Sequence, residues 1–468
     1  MLPATMPLQI GGAGPLLALV AGIATIVFLL IYLDLPPFIA LVIAGFVVGA
    51  VSPDIPFGDV PGEFAGSFGD GMAGIGIPIL MAAIIGKAMI ESGAADRIVR
   101  FFNGVFGRDN TEYSLFSSGF VMAIPVFFDN VFYLLAPLAR AARSRTGQNY
   151  ALFIVAIGAA GAVTHGFVPP TPGPLLAVET FAEAGASTNL GLTIGVGLLT
   201  GLPTALVAGL GYGYVINRRL EIPLRDAMGT TVEELNEKVE RPTSQLPGLL
   251  EAMLPILLAV LLVGADTFVT TFIGEDTAAA SVTNFIGDPN FALTAAALAA
   301  AFTYFRMSDI SGDVFSDELT EALKSGGNIA AITAAGGAFG YMLQQAGAGE
   351  LIANSLQELG LGVLATAWVI AAGVRLVQGS ATVAITTTAG ITAPMAGSFS
   401  ANPAYLVMAI GAGATFCSWY NDSGFWIVKE IGGLTQGETL KTWTVSTILI
   451  GIVGLISTLV FSTILPLA

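Results

Sequence analysis

The chain has one cysteine and one histidine in 468 residues, and only 11% of its residues are charged. A lone cysteine, Cys417, excludes a disulfide within the chain. A lone histidine, with no HExxH-type or GxSxG-type arrangement, removes the usual metal and nucleophile kits of an enzyme. No catalytic residue, metal site or cofactor is therefore expected. Soluble domains carry about 25% charged residues, so this composition excludes an ordinary globular protein. Basic residues are scarce: 17 Lys and Arg stand against 33 Asp and Glu, a net charge of −16. That balance excludes nucleic acid as a partner on bulk electrostatics. No basic residue precedes the first apolar run, so a cleaved signal peptide is not expected.

What fills the chain instead is apolar: 54% hydrophobic residues, 58 glycines and a mean hydropathy of +0.80. Uncharged windows such as Ile10–Leu33 and Trp443–Leu465 are long enough to cross a bilayer as helix. Glycine at this density lets membrane helices approach closely and break locally. Apolar runs predict spans near 10–33, 36–52, 72–91, 150–182, 190–216, 247–272, 289–305, 327–345, 403–430 and 441–466. Two further stretches, about 113–140 and about 361–391, are interrupted by polar residues and read as re-entrant hairpins. With that reading, nearly all positive charges fall on one face: Arg97 to Arg108, Arg140 to Arg145, Arg218 to Arg241, Arg306 and Lys324, then Lys429 and Lys441. The positive-inside bias makes these basic loops cytoplasmic and places both termini outside. Lys87 lies near the basic end of its span and is expected to extend its ammonium to the interface.

The chain also resembles itself. Glu91-Ser92-Gly93-Ala94-Ala95-Asp96-Arg97-Ile98 parallels Gln345-Ala346-Gly347-Ala348-Gly349-Glu350-Leu351-Ile352, each after a glycine-rich span. A hairpin, a span broken in its middle and an intact span follow in both places. The expected fold is an all-α polytopic membrane protein built as an inverted repeat. Each half has five transmembrane helices, one of them broken, plus one re-entrant hairpin, giving about ten full spans and two hairpins. The halves are 1–216, with its hairpin at about 113–140 and broken helix at about 150–182, and 247–468, with its hairpin at about 361–391 and broken helix at about 403–430. A cytoplasmic linker, 217–246, joins them.

Irregular backbone at membrane depth survives only against protein or a water-filled cavity, so the four interruptions are the candidate site. The first hairpin carries Asp129, a candidate proton carrier or ion ligand; alternatively it satisfies free N–H groups at the break. The second interruption, Thr164 to Pro174, holds His165 and a proline run, Pro169, Pro170, Pro172 and Pro174 with Gly173, that cannot continue a helix. His165 is the one side chain whose ordinary titration range is near neutral; it is alternatively a structural hydrogen-bonder. The third holds Arg375, the only charge in its apolar segment, followed by Gln378, Gly379, Ser380 and Thr382. A cation at membrane depth costs roughly 2.5 kcal/mol or more. Arginine offers a fork of donors shaped for a carboxylate, so an anionic substrate is its natural partner. Internal pairing with Asp129 or Asp422 is the alternative. The fourth, Ser418 to Trp426, has Asn421, Asp422 and Ser423 in a row inside a span, fitted to hold an ion or a polar substrate, or else to end a helix.

At these places the chain resembles the gluconate permease family, gluconate:proton symporters of the ion-transporter superfamily. The motifs are Phe127-Phe128-Asp129, Val168-Pro169-Pro170-Thr171-Pro172-Gly173-Pro174, Arg375 with Gln378-Gly379-Ser380-Ala381-Thr382-Val383, and Asn421-Asp422-Ser423-Gly424-Phe425-Trp426 with the trailing Thr439-Leu440-Lys441-Thr442-Trp443. The resemblance runs over nearly the whole length. It implies a secondary active transporter of the plasma membrane that takes up a small hydroxylated monocarboxylate, gluconate or a related sugar acid or glycerate, with protons. Substrate contacts would come from Arg375, Gln378, Gly379, Ser380, Thr382, Thr171, Asn421 and Ser423, and the coupling proton or ion would use Asp129, Asp422 or His165. Family members often have histidine where this chain has Thr171 and Trp419, so a proton path here falls to His165 or a carboxylate. A sodium-coupled organic-anion symporter is the runner-up, and a Na+/H+ antiporter a more distant one. An antiporter needs neither a dedicated arginine nor a hydroxyl-rich hairpin tip. The partners implied are the lipid bilayer, a small organic anion and a coupling cation, H+ or Na+, with a homo-oligomer also compatible.

Overall fold

The computed structural model describes residues 14–33, 35–52, 54–147, 149–186, 188–227, 242–274, 277–308, 310–348, 362–396, 402–419 and 422–467. These residues form helices and no β-sheet. In the first half, α1 (Gly14–Val27) runs on through a π-turn, Phe28–Tyr32, and is followed by α2 (Pro37–Val51) and α3 (Val60–Glu91). Then come α4 (Ala94–Phe106), α5 (Thr111–Met122), α6 (Phe128–Thr146), α7 (Tyr150–Phe167) and α8 (Pro172–Glu183). The half closes with α9 (Leu190–Ala205), a π-turn Leu206–Gly211 and α10 (Tyr212–Asn217). The second half has α11 (Leu249–Phe272), α12 (Ala278–Gly287), α13 (Pro289–Met307) and α14 (Gly312–Gln345). It continues with α15 (Val363–Gln378), α16 (Ala381–Ala396), α17 (Ala404–Thr415) and α18 (Ser423–Gly432), then α19 (Gln436–Thr439), a π-turn Leu440–Thr444 and α20 (Val445–Ile464).

Among the described residues, five helices are long and apolar enough to cross a membrane, taking α7 with α8, α9 with α10, and α19 with α20 as continuous. A sixth appears if α12 and α13, bent by 58° at Asp288, count together, and five shorter apolar helices accompany them. This establishes a helical membrane protein. Hydropathy underestimates two helices, because their first turns are polar: α3 begins at Val60, and α14 at Gly312, where the Ser311 side chain accepts from Val314 N. Helices α3 and α14 lie against each other over a long contact. Lys87 does not simply extend to an interface. It is paired with Glu91 at 3.0 Å and with Glu318 of α14.

Helices α3 and α14 end alike: Gly93 and Gly347 both take positive φ, 76° and 74°. Only glycine enters this left-handed region without strain, which is why it so often follows a helix end. At the centre, every residue of α17 is buried, as is every residue of α7 except His165. The two cross glycine to glycine: a Cβ on Gly411 would stand 2.2 Å from the carbonyl oxygen of Gly166. Chain ends and breaks are tied by side chains. Asn189 caps α9, accepting from Gly191 N at 2.9 Å and Leu192 N at 3.2 Å, and also from Thr267 Oγ1 of α11 at 2.5 Å. Losing such a cap costs about 1 kcal/mol, and here a bond between helices goes with it. Asn189→Ala should therefore lower the thermal unfolding midpoint measurably, while Asn290→Ala, whose side chain caps nothing among the described residues, should not.

Candidate functional site

The first, third and fourth interruptions, together with His165 from the second, meet on one cavity of about 270 Å³. Ligand sites for drug-sized molecules occupy roughly 300–1,000 Å³, so this is space for a small solute. Helix α6 contributes Asp129 in its first turn, with Phe127 and Phe128 before it, and α7 contributes His165. The α15–α16 junction brings Arg375, Ser380 and Thr382; the α17–α18 junction brings Thr415, Asp422 and Ser423. The far wall is Thr333 of α14, Trp443 of the last π-turn and Thr447 of α20.

Arg375 sits in the last turn of α15, 3% exposed, where a cation favours the carbonyl-rich helix end. One terminal nitrogen donates to the carbonyl of Gly379, which closes the helix at φ +86°, and the other pairs with the Asp422 carboxylate. Its Nε has no hydrogen-bond partner among the described residues. Asp422 is itself 7% exposed. It caps α18, accepting from Gly424 N at 3.1 Å, and accepts from the Ser418 hydroxyl as well. The pair is thus a buried carboxylate held by a guanidinium, a hydroxyl and a helix N-terminus.

The break that carries Asp422 is fastened to the C-terminal helix. Trp443 Nε1 donates to Ser418 Oγ at 2.5 Å, Ser418 N donates to Thr447 Oγ1 at 2.9 Å, and Thr444 Oγ1 donates to the Ser418 carbonyl at 2.6 Å. These bonds replace the helical ones lost between Thr415 and Ser423. Phe128 stacks on Trp443 with ring centres 5.0 Å apart, which joins the first hairpin to the same wall. At its other end α18 is held by three donors on its final carbonyls: Arg140 on Ile431 at 3.4 Å, Tyr150 on Gly432 at 2.6 Å and Arg225 on Gly433 at 3.2 Å.

Asp129 has no hydrogen bond or ion pair among the described residues, although it lines the cavity. The ring of His165 meets Phe127 edge-on at 6.4 Å, and its Nδ1 is enclosed without a partner among the described residues. The proline run behaves differently. Val168 to Thr171 separates α7 from α8, with a cis Pro169–Pro170 bond, and Pro172 and Gly173 open α8. Gly173 packs on Ile385 of α16, and the Thr171 hydroxyl donates to Val168 O at 2.6 Å; none of Pro169, Pro170, Thr171, Pro172 or Gly173 lines the cavity. Asn421 and the side chain of Gln378 lie outside the described residues. Ser418 opens the expected fourth interruption, whereas Thr333 and Thr447 are site neighbours that the sequence does not single out. Each of these threonines is an ordinary residue in an apolar helix, and only the fold turns it inward.

A cavity that carries one guanidinium, two carboxylates and several hydroxyls at helix breaks, within a bundle of apolar helices, defines a polytopic membrane protein of the kind that moves solutes. The crystal structure of the YdaH transporter of Alcanivorax borkumensis has the same overall fold, with a TM-score of 0.63 at 12% identity over 94% of this chain and 99% of that one. The family model for GntP family permeases matches residues 14–464, and the chain belongs to that family. Similar curated proteins include a gluconate permease of Pseudomonas aeruginosa, 34% identical over 92% of this chain and 93% of its own. The Gnt-II system L-idonate transporter of Escherichia coli is 33% identical, over 96% of this chain and 100% of that one. The high-affinity gluconate transporter of the same organism is 30% identical, over 96% and 99%. The protein is a permease and not an enzyme, in a multi-pass form that belongs in the plasma membrane.

Proposed function

We propose that this permease takes up a small hydroxylated monocarboxylate, gluconate or a related sugar acid or glycerate, in symport with protons. The observation that carries the reading is Arg375, a guanidinium buried in a solute-sized cavity with its Nε unmatched among the described residues. A planar fork of donors suits a carboxylate. The hydroxyls of Ser380, Thr382, Ser423 and Thr333 around it suit the hydroxyls of a sugar acid. Relatives named as gluconate and L-idonate transporters point to the same substrate class. Asp129, Asp422 and His165 are the groups beside that anion through which a proton can be coupled.

We read the architecture as two inverted halves, 1–216 and 247–468, with ten spans, two hairpins and the linker 217–246 between them. One order recurs in support of this: a long helix ended by a left-handed glycine, a helix pair, a broken span, then a helix interrupted by a π-turn. The basic loops lie in the cytoplasm and both termini outside on this reading.

The test is uptake of labelled D-gluconate into proteoliposomes containing the purified protein. An imposed acid-outside gradient should drive accumulation that a protonophore abolishes, and a sodium gradient alone should drive none. Accumulation driven by sodium without a proton gradient would replace the coupling ion. Indifference to gluconate, L-idonate and glycerate alike would remove the substrate class.

A further inference from the structure

The cavity holds one guanidinium, Arg375, against two carboxylates, Asp129 and Asp422, and the guanidinium is committed to Asp422. A monoanion added to that trio would be a third negative charge in an enclosed space, facing a cation already neutralised. Like charges so confined do not all stay ionised. Anion binding therefore asks one carboxylate to leave the arginine and to lose its charge.

We propose that the substrate carboxylate replaces Asp422 on Arg375, and that Asp422, once displaced, carries the one proton that accompanies each anion. This rests on reading the cavity as a carboxylate site. The proton is taken from hydronium of the acidic outer solution, leaving water; an O–H bond forms on the Asp422 carboxylate, and it breaks again, returning the proton to water, when the anion leaves. The net charge of the site is the same before and after binding. Geometry singles out Asp422 over Asp129, because Asp422 alone occupies the guanidinium that the anion needs. Its remaining supports, the Gly424 N–H and the Ser418 hydroxyl, can hold a neutral carboxyl in place after the arginine has gone. The ionisable groups facing it are Arg375 from α15, Asp129 from α6 and His165 from α7, with Cys417 in its own break. Trp443 and Thr447, from the C-terminal wall, are not ionisable in this range.

The experiment measures the Kd of D-gluconate against pH on the full-length protein in nanodiscs. In the wild type, uptake of one proton per anion makes Kd rise about tenfold per pH unit. Asp422→Asn keeps a good helix cap and should bind gluconate with a Kd that no longer follows pH. In proteoliposomes that variant should exchange gluconate for gluconate but not accumulate it along an acid gradient. Asp129→Asn and His165→Gln should keep the wild-type slope. A wild-type slope in Asp422→Asn, or its loss in either of the other two variants, overturns the exchange. Should Asp422→Asn fail to fold, proton uptake by the wild type on adding gluconate in weak buffer decides. About one proton per anion is expected, and none overturns the proposal. A wild type that binds no gluconate sinks the substrate reading itself, whereas one that binds it with a flat pH profile sinks only the exchange.

Discussion

Arg375→Gln abolishes gluconate accumulation and unfolds more readily than any other single change in the cavity: this is the expected result of removing the one cation there. The substitution does two separable things. It deletes the fork of donors for the substrate carboxylate, and it leaves Asp422 buried opposite Asp129 without its counter-ion. Breaking a buried ion pair from one side costs about 3–5 kcal/mol, whereas replacing both partners together is often neutral. The double variant Arg375→Gln/Asp422→Asn should therefore recover most of the thermal stability while recovering no transport. Both are read on the same purified samples, by unfolding midpoint and by uptake in proteoliposomes. A double variant as unstable as the single would mean the arginine acts by packing, and transport in either would remove it from the substrate.

Gly411→Val should be at least as damaging, by a route that involves no charge. At the crossing of α17 with α7, the obstacle to a Cβ is the Gly166 carbonyl, which is backbone and cannot rotate aside. Overpacking a core costs about 1–3 kcal/mol when side chains can yield, and more is expected here. From the other helix, a Cβ on Gly166 would meet Thr415 Oγ1 at 2.7 Å, so the wedge also reaches a residue that lines the cavity. Fluorescence-detected size exclusion should show loss of the monodisperse peak for Gly411→Val. Gly195→Ala, on a helix face with nothing within 4 Å of its Cβ, should leave the peak intact. An intact peak and wild-type uptake for Gly411→Val would show that the two broken helices do not meet as tightly as described.

The helical membrane class is legible in composition alone, because few charges and long apolar runs admit little else. The place where α7 gives way to α8 is equally legible, since a run of prolines cannot donate the bonds a helix needs. Arg375 and Asp422 each stand out as charges in apolar surroundings, but nothing in the chain says they touch, 47 positions apart. That contact is a product of tertiary packing. Thr171 is a different case. It sits in a conspicuous motif, yet its hydroxyl is turned onto the Val168 carbonyl and away from the cavity. Lys87 reads as an interface residue because its partner, Glu318, is supplied by a helix far along the chain. Threonine in a hydrophobic helix gives no sign of which way it faces, so Thr447 is invisible until the break is seen to lean on it, through Ser418 N.

The fastening of that break to α20 also fixes an order of assembly. Beyond Ser418 and its partners, the opposite end of α17 is tied to the C-terminus, with Asn402 N on Pro466 O at 2.9 Å and Tyr405 Oη on Leu465 O at 2.6 Å. Helix α15 leans on it too, through Trp368 Nε1 and the Gly451 carbonyl at 2.8 Å. A chain leaving the ribosome therefore carries Arg375 and Asp422 into the membrane before the donors that set their backbone have been made. A chain halted short of its final helix carries both Asp129 and Asp422 but lacks the Trp443, Thr444 and Thr447 side chains that fasten Ser418 in the break.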